Sequence, residues 1–354
     1  MSDSLGLGDS DAESRWIGVR RHQGALVIVG LGLVSAWVMG ASARPGELVV
    51  GLVALVCAVP TSGGQTLGEA LAVVVRYLAR SKWSAVAIRE FGDDVVIWAP
   101  NDVVFRAYEL EHRGRLDLSG RDVSLALALA ALVDAASASS DRQHVSQHVI
   151  RRDRGTSTLL ALPPQLPAPD GWRHKPSLAM EAARAGEDSS LHLYERLTYL
   201  RTPDLLLRVF RVRDFSSVPE SRSVLEQLLR SPVGLDVSVH VDVVAGAKAQ
   251  RLAARAVHRV RSDDVTSSAA GFRRTARTSR GFERLAQREV LVASGRALVR
   301  LAVYVVVSGA SLEVLSQRSD LVWRRAHDGG LRLDRGRGRQ YEWFRAQLPG
   351  GPGW

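Results

Sequence analysis

Residues 24–43 contain no charged side chain. A helix of about twenty apolar residues, rising about 1.5 Å per residue, matches the roughly 30 Å hydrocarbon core of a bilayer, so this run limits the chain's options sharply. A polar break, Arg44-Pro45-Gly46-Glu47, supplies turn chemistry, residues 48–59 are apolar again, and Pro60-Thr61-Ser62-Gly63-Gly64 ends the segment. The pattern predicts a two-span helical hairpin over 23–60. The second run is twelve residues, so either its flanks sit near the interfaces or the segment is re-entrant. A cleaved signal peptide fits less well, because the first run is too long for its apolar region and no small-x-small cleavage site follows.

Arginine counts orient the hairpin. Arg15, Arg20 and Arg21 precede it, Arg76, Arg80 and Lys82 follow it, and the turn sets Arg44 against Glu47. The positive-inside rule predicts a two-pass protein of the inner (plasma) membrane with both termini cytoplasmic. A capping box, Thr66-Leu67-Gly68-Glu69, starts a helix with Leu67, Leu71, Val74 and Leu78 on one face. Arg76, Arg80, Lys82 and Trp83 are its candidate membrane-interface anchors. The single cysteine, Cys57, excludes an internal disulfide framework and a cysteine zinc site.

The expected organisation is a tail over 1–22, the hairpin over 23–60, an amphipathic interfacial helix over 61–83, a strand-rich cytosolic part over 84–161, a linker over 162–189 and an α+β domain over 190–350. In the last part, 205–213 reads as a strand and 218–230 as a helix. Residues 237–243 alternate cleanly, with Val237, Val239, Val241 and Val243 on one face and Ser238, His240 and Asp242 on the other. A long helical stretch over 247–294, a strand over 297–307, a helix stopped by Gly329-Gly330 and a short strand over 331–334 follow. The order βαβ, helical insertion, βαβ predicts a ferredoxin-like α+β sheet with its helices on one side. The fold class is therefore α+β, a two-span membrane hairpin followed by a cytosolic ferredoxin-like domain.

Residues 20–90 resemble the PrgI family, small two-span proteins of Gram-positive conjugation and type IV secretion loci. The features are the hairpin, Gly63-Gly64-Gln65-Thr66-Leu67-Gly68-Glu69-Ala70-Leu71, then Val75-Arg76-Tyr77-Leu78-Ala79-Arg80 and a tryptophan. EccE subunits of mycobacterial type VII systems begin comparably. Residues 95–350 resemble the N-terminal domain of VirB/TrbE/CagE-type conjugation ATPases. That resemblance is carried by Gln147-His148-Val149-Ile150-Arg151-Arg152, by 237–244, by 286–295 with the strand after it, and by Gln340-Tyr341-Glu342-Trp343-Phe344 leading to Leu348-Pro349-Gly350. Both segments in one chain look like actinobacterial conjugation membrane proteins. The resemblance implies a membrane scaffold of a conjugative, type IV-like transfer machine. Its expected partners are a separate conjugation ATPase, other secretion subunits and its own copies in an oligomeric assembly.

No catalytic constellation is legible. A phosphate-binding loop needs Gly-Lys-Ser/Thr, and the three lysines, Lys82, Lys175 and Lys248, follow Ser81, His174 and Ala247. The chain is thus expected to be no enzyme and to hold no cofactor. His144 and His148 would share one face of a helix and could approach a metal there, but the segment reads as strand, so they are expected to be surface histidines. The formal charge is +10, and 47 basic residues include only those three lysines. That arginine bias follows the Ala-, Val-, Leu- and Gly-rich composition of a GC-rich genome and is weak support for a functional basic surface. Arg251, Arg255 and Arg259 still recur every four residues and make one basic helical face, a candidate contact for anionic lipid or phosphate. Two alternatives accompany the scaffold reading: an EccE-like type VII subunit, and a membrane-tethered DNA-binding protein using these arginines.

Overall fold

The alternating valines at 237–243 lie on a strand of ten residues at the centre of the architecture. In the computed structural model, the described residues are 15–16, 19–20, 29–31, 33–35, 50, 53–54, 74–75, 77–79, 83–91, 94–98, 103–110, 143–152, 155–166, 168, 172–177, 190–214, 228, 233–269 and 276–351. They fall into two units. One comprises 1–9, 81–253 and 290–354, the other 10–80 and 254–289.

The first unit is built on one twelve-stranded sheet. Its strands are β3 (Trp83–Phe91), β4 (Asp94–Trp98), β5 (Val103–Leu110), β6 (Gln143–Arg152), β7 (Gly155–Leu162), β8 (Trp172–His174), β9 (Ser190–Glu195), β10 (Leu200–Arg201), β11 (Leu206–Asp214), β12 (Leu235–Val244), β13 (Leu298–Gly309) and β14 (Arg332–Asp334). β1 (Arg15–Trp16) and β2 (Val19–Arg20) form a separate two-stranded pair in the second unit. The large sheet runs β10-β9-β3-β4-β5-β7-β6-β12-β13-β11-β14, and β8 pairs with β5. Every pairing is antiparallel. Because β10 bonds to β11 as well as to β9, the hydrogen-bonded path closes into a ring of ten strands. Closure removes edges that would otherwise expose unpaired backbone groups.

A closed sheet has an inside and an outside, and residue alternation assigns each side chain to one of them. Phe105 and Ala107 of β5, Leu159 and Ala161 of β7, Leu191 and Leu193 of β9, and Leu207 and Val209 of β11 meet in one buried cluster. Side chains from opposite arcs of the ring can share a cluster only in its interior. The same cluster contains Trp343, Phe344, Ala346 and Leu348 of the C-terminal segment. Helix α4 (Gln340–Gln347) therefore lies inside the ring, and Gln340, Trp343, Phe344, Ala346 and Gln347 are all buried.

The outer face is packed by α3 (Leu312–Asp328). Ser311 caps its start by accepting a hydrogen bond from the Val314 N–H at 3.3 Å. Leu315, Val322 and Ala326 bury against Phe210, Val212, Val237, Val303, Val305 and Val307. A second outer cluster gathers Tyr108, Val145, Leu160, Leu162, Val241 and Val243. The β-branched rows of β12 and β13 suit a pleated surface buried on both sides. Helices α1 (Gly246–Ala269) and α2 (Ala276–Ala293) interrupt the chain between β12 and β13. Their ends nearest the sheet pack Ala249, Ala253 and Val292 against Val244.

Two expectations are corrected. Among the described residues no helix is long and apolar enough to cross a membrane. Twenty uncharged residues satisfy a length rule, but a span needs a continuous helix that satisfies its own backbone. The two-span hairpin over 23–60, the two-pass inner-membrane location and the cytoplasmic placement of both termini are therefore withdrawn. Most of 23–60 lies outside the described residues. Of those described in or beside it, Val29, Leu31, Val50, Val53, Val75 and Leu78 are more than half exposed.

The second correction concerns the separate ferredoxin-like domain. Strands β11 to β14 are neighbours in the order β12-β13-β11-β14, yet they are no free-standing sheet. The outer edge of β12 pairs with β6 from Leu235↔Arg151 to Val243↔Gln143, and β11 pairs with β10. An open four-stranded sheet would leave both edges unpaired. The helix expected over 218–230 lies outside the described residues except at Leu228, which is helical and buried.

Candidate functional site

The register places two polar rows side by side inside the ring. On β6, His144, Ser146, His148 and Ile150 point inward. On β12, Asp242, His240, Ser238 and Asp236 stand opposite them in that order. Tyr304 of β13 lies opposite Ser238 on the other flank. The row read from the sequence as the polar face of an alternating strand is thus the interior face. His148 is 3% exposed, His240 0%, Asp242 1% and Ser146 0%.

The side chains form a connected array. His144 Nδ1 lies 3.4 Å from Asp242 Oδ1, and His144 Nε2 lies 3.2 Å from His240 Nδ1. A carboxylate only accepts, so Nδ1 of His144 is the donor to Asp242. His148 Nε2 lies 3.0 Å from Ser146 Oγ, which also accepts from the Gly350 N–H at 3.3 Å. The His144 and His240 rings stack with centroids 5.4 Å apart, His148 meets His240 edge-on at 5.4 Å, and Tyr304 meets His240 edge-on at 5.8 Å. His240 Nε2 and Ser238 Oγ are buried without a hydrogen-bond partner among the described residues.

Burial governs the charge of this array. It pushes His148 down to about 3, with the neighbouring His144 adding to the effect. It pushes His240 well below the ordinary histidine value, reinforced by His144 and His148, while the backbone of Gln347 pulls the other way. Both imidazoles are neutral at pH 7. Burial also raises the Tyr304 phenol above its ordinary value, so it stays protonated.

The C-terminal segment covers the array and is held by its own polar contacts. Between the parts of β11 bonded to β10 and to β14, Val209 has backbone groups that no strand reaches. The buried Gln340 side chain fills the gap: its Oε1 accepts from the Val209 N–H at 2.7 Å, and its Nε2 donates to Val209 O at 3.1 Å and Arg335 O at 2.7 Å. The Tyr341 N–H, in the first turn of α4, donates to the buried Glu195 carboxylate at 3.0 Å. Gly336 has φ +53° in the turn before α4, and a Cβ there would stand 2.4 Å from Trp343 Cε3. Gly350 has φ +68°, and a Cβ there would stand 2.5 Å from Phe105 Cδ1. Only glycine lets the backbone approach Trp343 at the first position and the ring wall at the second so closely.

The chemistry this arrangement offers is restricted. Ser146 and His148 have the spacing of a nucleophile and a base, but an imidazole at about 3 is too weak a base at neutral pH. Among the described residues no group of three His, Cys, Asp or Glu is placed to hold a metal ion. His144 and His240 direct nitrogens at one another instead of converging on a common point.

The other residues singled out from the sequence lie elsewhere. Arg251, Arg255 and Arg259 are exposed on α1, where Arg251 Nε donates to Ala247 O at 3.3 Å. Arg255 and Arg259 line a shallow cleft with His258, Ser262 and Asp263. Trp83 opens β3 opposite Tyr194, so it is a sheet residue and not the end of an interfacial helix. Arg76, Arg80 and Lys82 lie outside the described residues. His144 and His148 were expected at the surface. Instead the first is partly buried and the second enclosed. A signal for this existed: the inward positions 144, 146 and 148 and 236, 238, 240 and 242 carry His, Ser and Asp but no Lys, Arg or Glu, whereas a solvated strand face favours long charged side chains.

No protein-family model matches the chain, and no curated protein matches it.

Proposed function

We propose that this chain is a non-enzymatic scaffold of a conjugative, type IV-like transfer machine that docks a separate ATPase. The observation supporting this most is where the ATPase-like segments fall. Gln147–Arg152 belongs to β6, 237–244 to β12 and 297–307 chiefly to β13, three adjacent strands of one wall. The helix after Ser311 is α3 on the outside of that wall, and Gln340–Phe344 begins α4 on its inside. Apart from 286–295, whose first residues belong to the second unit, the segments that resemble the N-terminal domain of conjugation ATPases therefore build one contiguous body. The chain has no Gly-Lys-Ser/Thr loop with which to hold ATP phosphates, so the energy source in this reading is a partner. Other secretion subunits and further copies of the chain would complete the assembly. The reading does not rest on a membrane hairpin.

The test is affinity purification of the tagged full-length chain from its native cells, followed by mass spectrometry. Recovery of a conjugation ATPase carrying a complete phosphate-binding loop is the expected result. Recovery of type VII core subunits would replace the assignment with the EccE-like one, and recovery of DNA without an ATPase would refute both secretion readings.

A further inference from the structure

We propose that the C-terminal segment 335–351 is an acid-released plug, whose withdrawal opens the histidine-lined part of the ring's interior. The geometry that points to this is the stacking of three features. Three imidazoles, those of His144, His148 and His240, lie within one interior patch. The plug covers it through Gly350 on Ser146 and through Gln347 beside His240. The plug begins in a glycine turn, Gly336 and Gly338, both at positive φ. Its polar anchors are the Gln340 side chain on Val209, the Tyr341 N–H donating to the Glu195 carboxylate and the Gly338 N–H donating to Leu197 O. None is part of a strand ladder, so it can leave without unpairing the sheet, although Trp343, Phe344 and Leu348 then leave the interior cluster.

The direction of the pH effect follows from burial. While the plug is seated, His148 and His240 remain neutral down to well below their ordinary values. Once it leaves, water reaches them and they titrate near 6.5, the ordinary histidine value. The open state then binds more protons than the closed one below that pH, so acidification favours opening. Above about 7 the two states bind protons alike and the plug is held at full strength. The charged and titratable groups facing the patch do not reverse this sign. Asp242 is engaged by His144 at the solvent-near end of the row, Asp236 lies opposite Ile150 at its far end, and Tyr304 is a protonated phenol. Arg300 pairs in register with Asp242, Arg211 lies beside Tyr304, and α4 contributes Tyr341, Glu342 and Arg345, with Arg339 at its cap. Glu195 is turned to the N-terminus of α4.

Amide hydrogen exchange of the full chain between pH 7.5 and 5 tests this, read as protection factors corrected for intrinsic rates. Each freed histidine contributes up to about tenfold per pH unit below 6.5. The amides of 343–348 are expected to lose up to about 100-fold in protection per unit below 6.5. At every pH they should be less protected than those of 302–307 in β13, because the plug opens while the sheet persists. Equal protection in the two segments would mean that the histidines act only through global unfolding, and would overturn the proposal. So would protection of 343–348 that ignores pH. A His148→Gln variant is expected to reduce the dependence to about tenfold per unit, and an unchanged slope would count against His148. If the variant does not fold, the comparison of the two segments in the unaltered chain still decides.

Discussion

At the scale of single residues, the interior is governed by what polar groups do when water is excluded. Gln340 satisfies both backbone groups of Val209 in a gap that neither β10 nor β14 reaches. A leucine of similar volume would leave that N–H and C=O buried and unpaired, each costing about 1–3 kcal/mol. Gln340→Leu is therefore expected to destabilise the chain by about 2–5 kcal/mol. The change would be read as a lower denaturant midpoint with an unchanged slope. A loss under about 0.5 kcal/mol would show that Val209 finds other partners. This glutamine was not legible in the sequence: nothing in Gln340-Tyr341-Glu342 distinguishes an exposed helix start from one inserted into a barrel. His148 and His240 were partly legible. Their place in strands was plain, and for His240 the alternation too, but alternation alone cannot say which face meets water when both are buried.

At the scale of elements, local pattern and observed structure agree wherever a strong period runs between clear stops. The strand read at 205–213 is β11, Leu206–Asp214. The alternating valines are β12, and the helix stopped by Gly329-Gly330 is α3, whose cap N–H groups return to Arg325 and His327. Pairing between distant elements was not legible. Arg151 and Leu235 are neighbours although eighty-odd residues separate them, and no local signal encodes that partnership. Arg251, Arg255 and Arg259 are exposed on α1, and exposed positions tolerate substitution within about 0.5 kcal/mol. Replacing all three with glutamine is expected to leave stability, ATPase capture and DNA retention at physiological salt unaltered. Abolished DNA retention would favour the DNA-binding alternative.

At the scale of the whole molecule, closure of the sheet joins segments that composition had divided. The strands β3, β4, β5, β7 and β6 form one arc of the ring and β12, β13, β11, β10 and β9 the other, so the long connection between the two groups does not separate two sheets. The apolar run at 24–43 suggested a different large-scale plan because its length matched a bilayer, but length alone does not establish a span. The buried histidines give the folded chain a predictable acid limit. His148 is held at about 3 and His240 is also lowered, so both take up protons on unfolding at any pH between those folded values and about 6.5. Stability is expected to be flat above pH 7. By pH 5.5 it should have fallen by about 1.4 kcal/mol for each of the two histidines. Denaturant titrations across that range would show the fall, and a flat profile down to pH 5 would mean that the imidazoles are hydrated in the folded state.

The scaffold account is tested most directly by where ATP is turned over. The purified chain and its captured partner should be assayed separately and together. Turnover confined to the partner, and none by the chain alone, is the result this account predicts. Sustained ATP hydrolysis by the chain alone would contradict it.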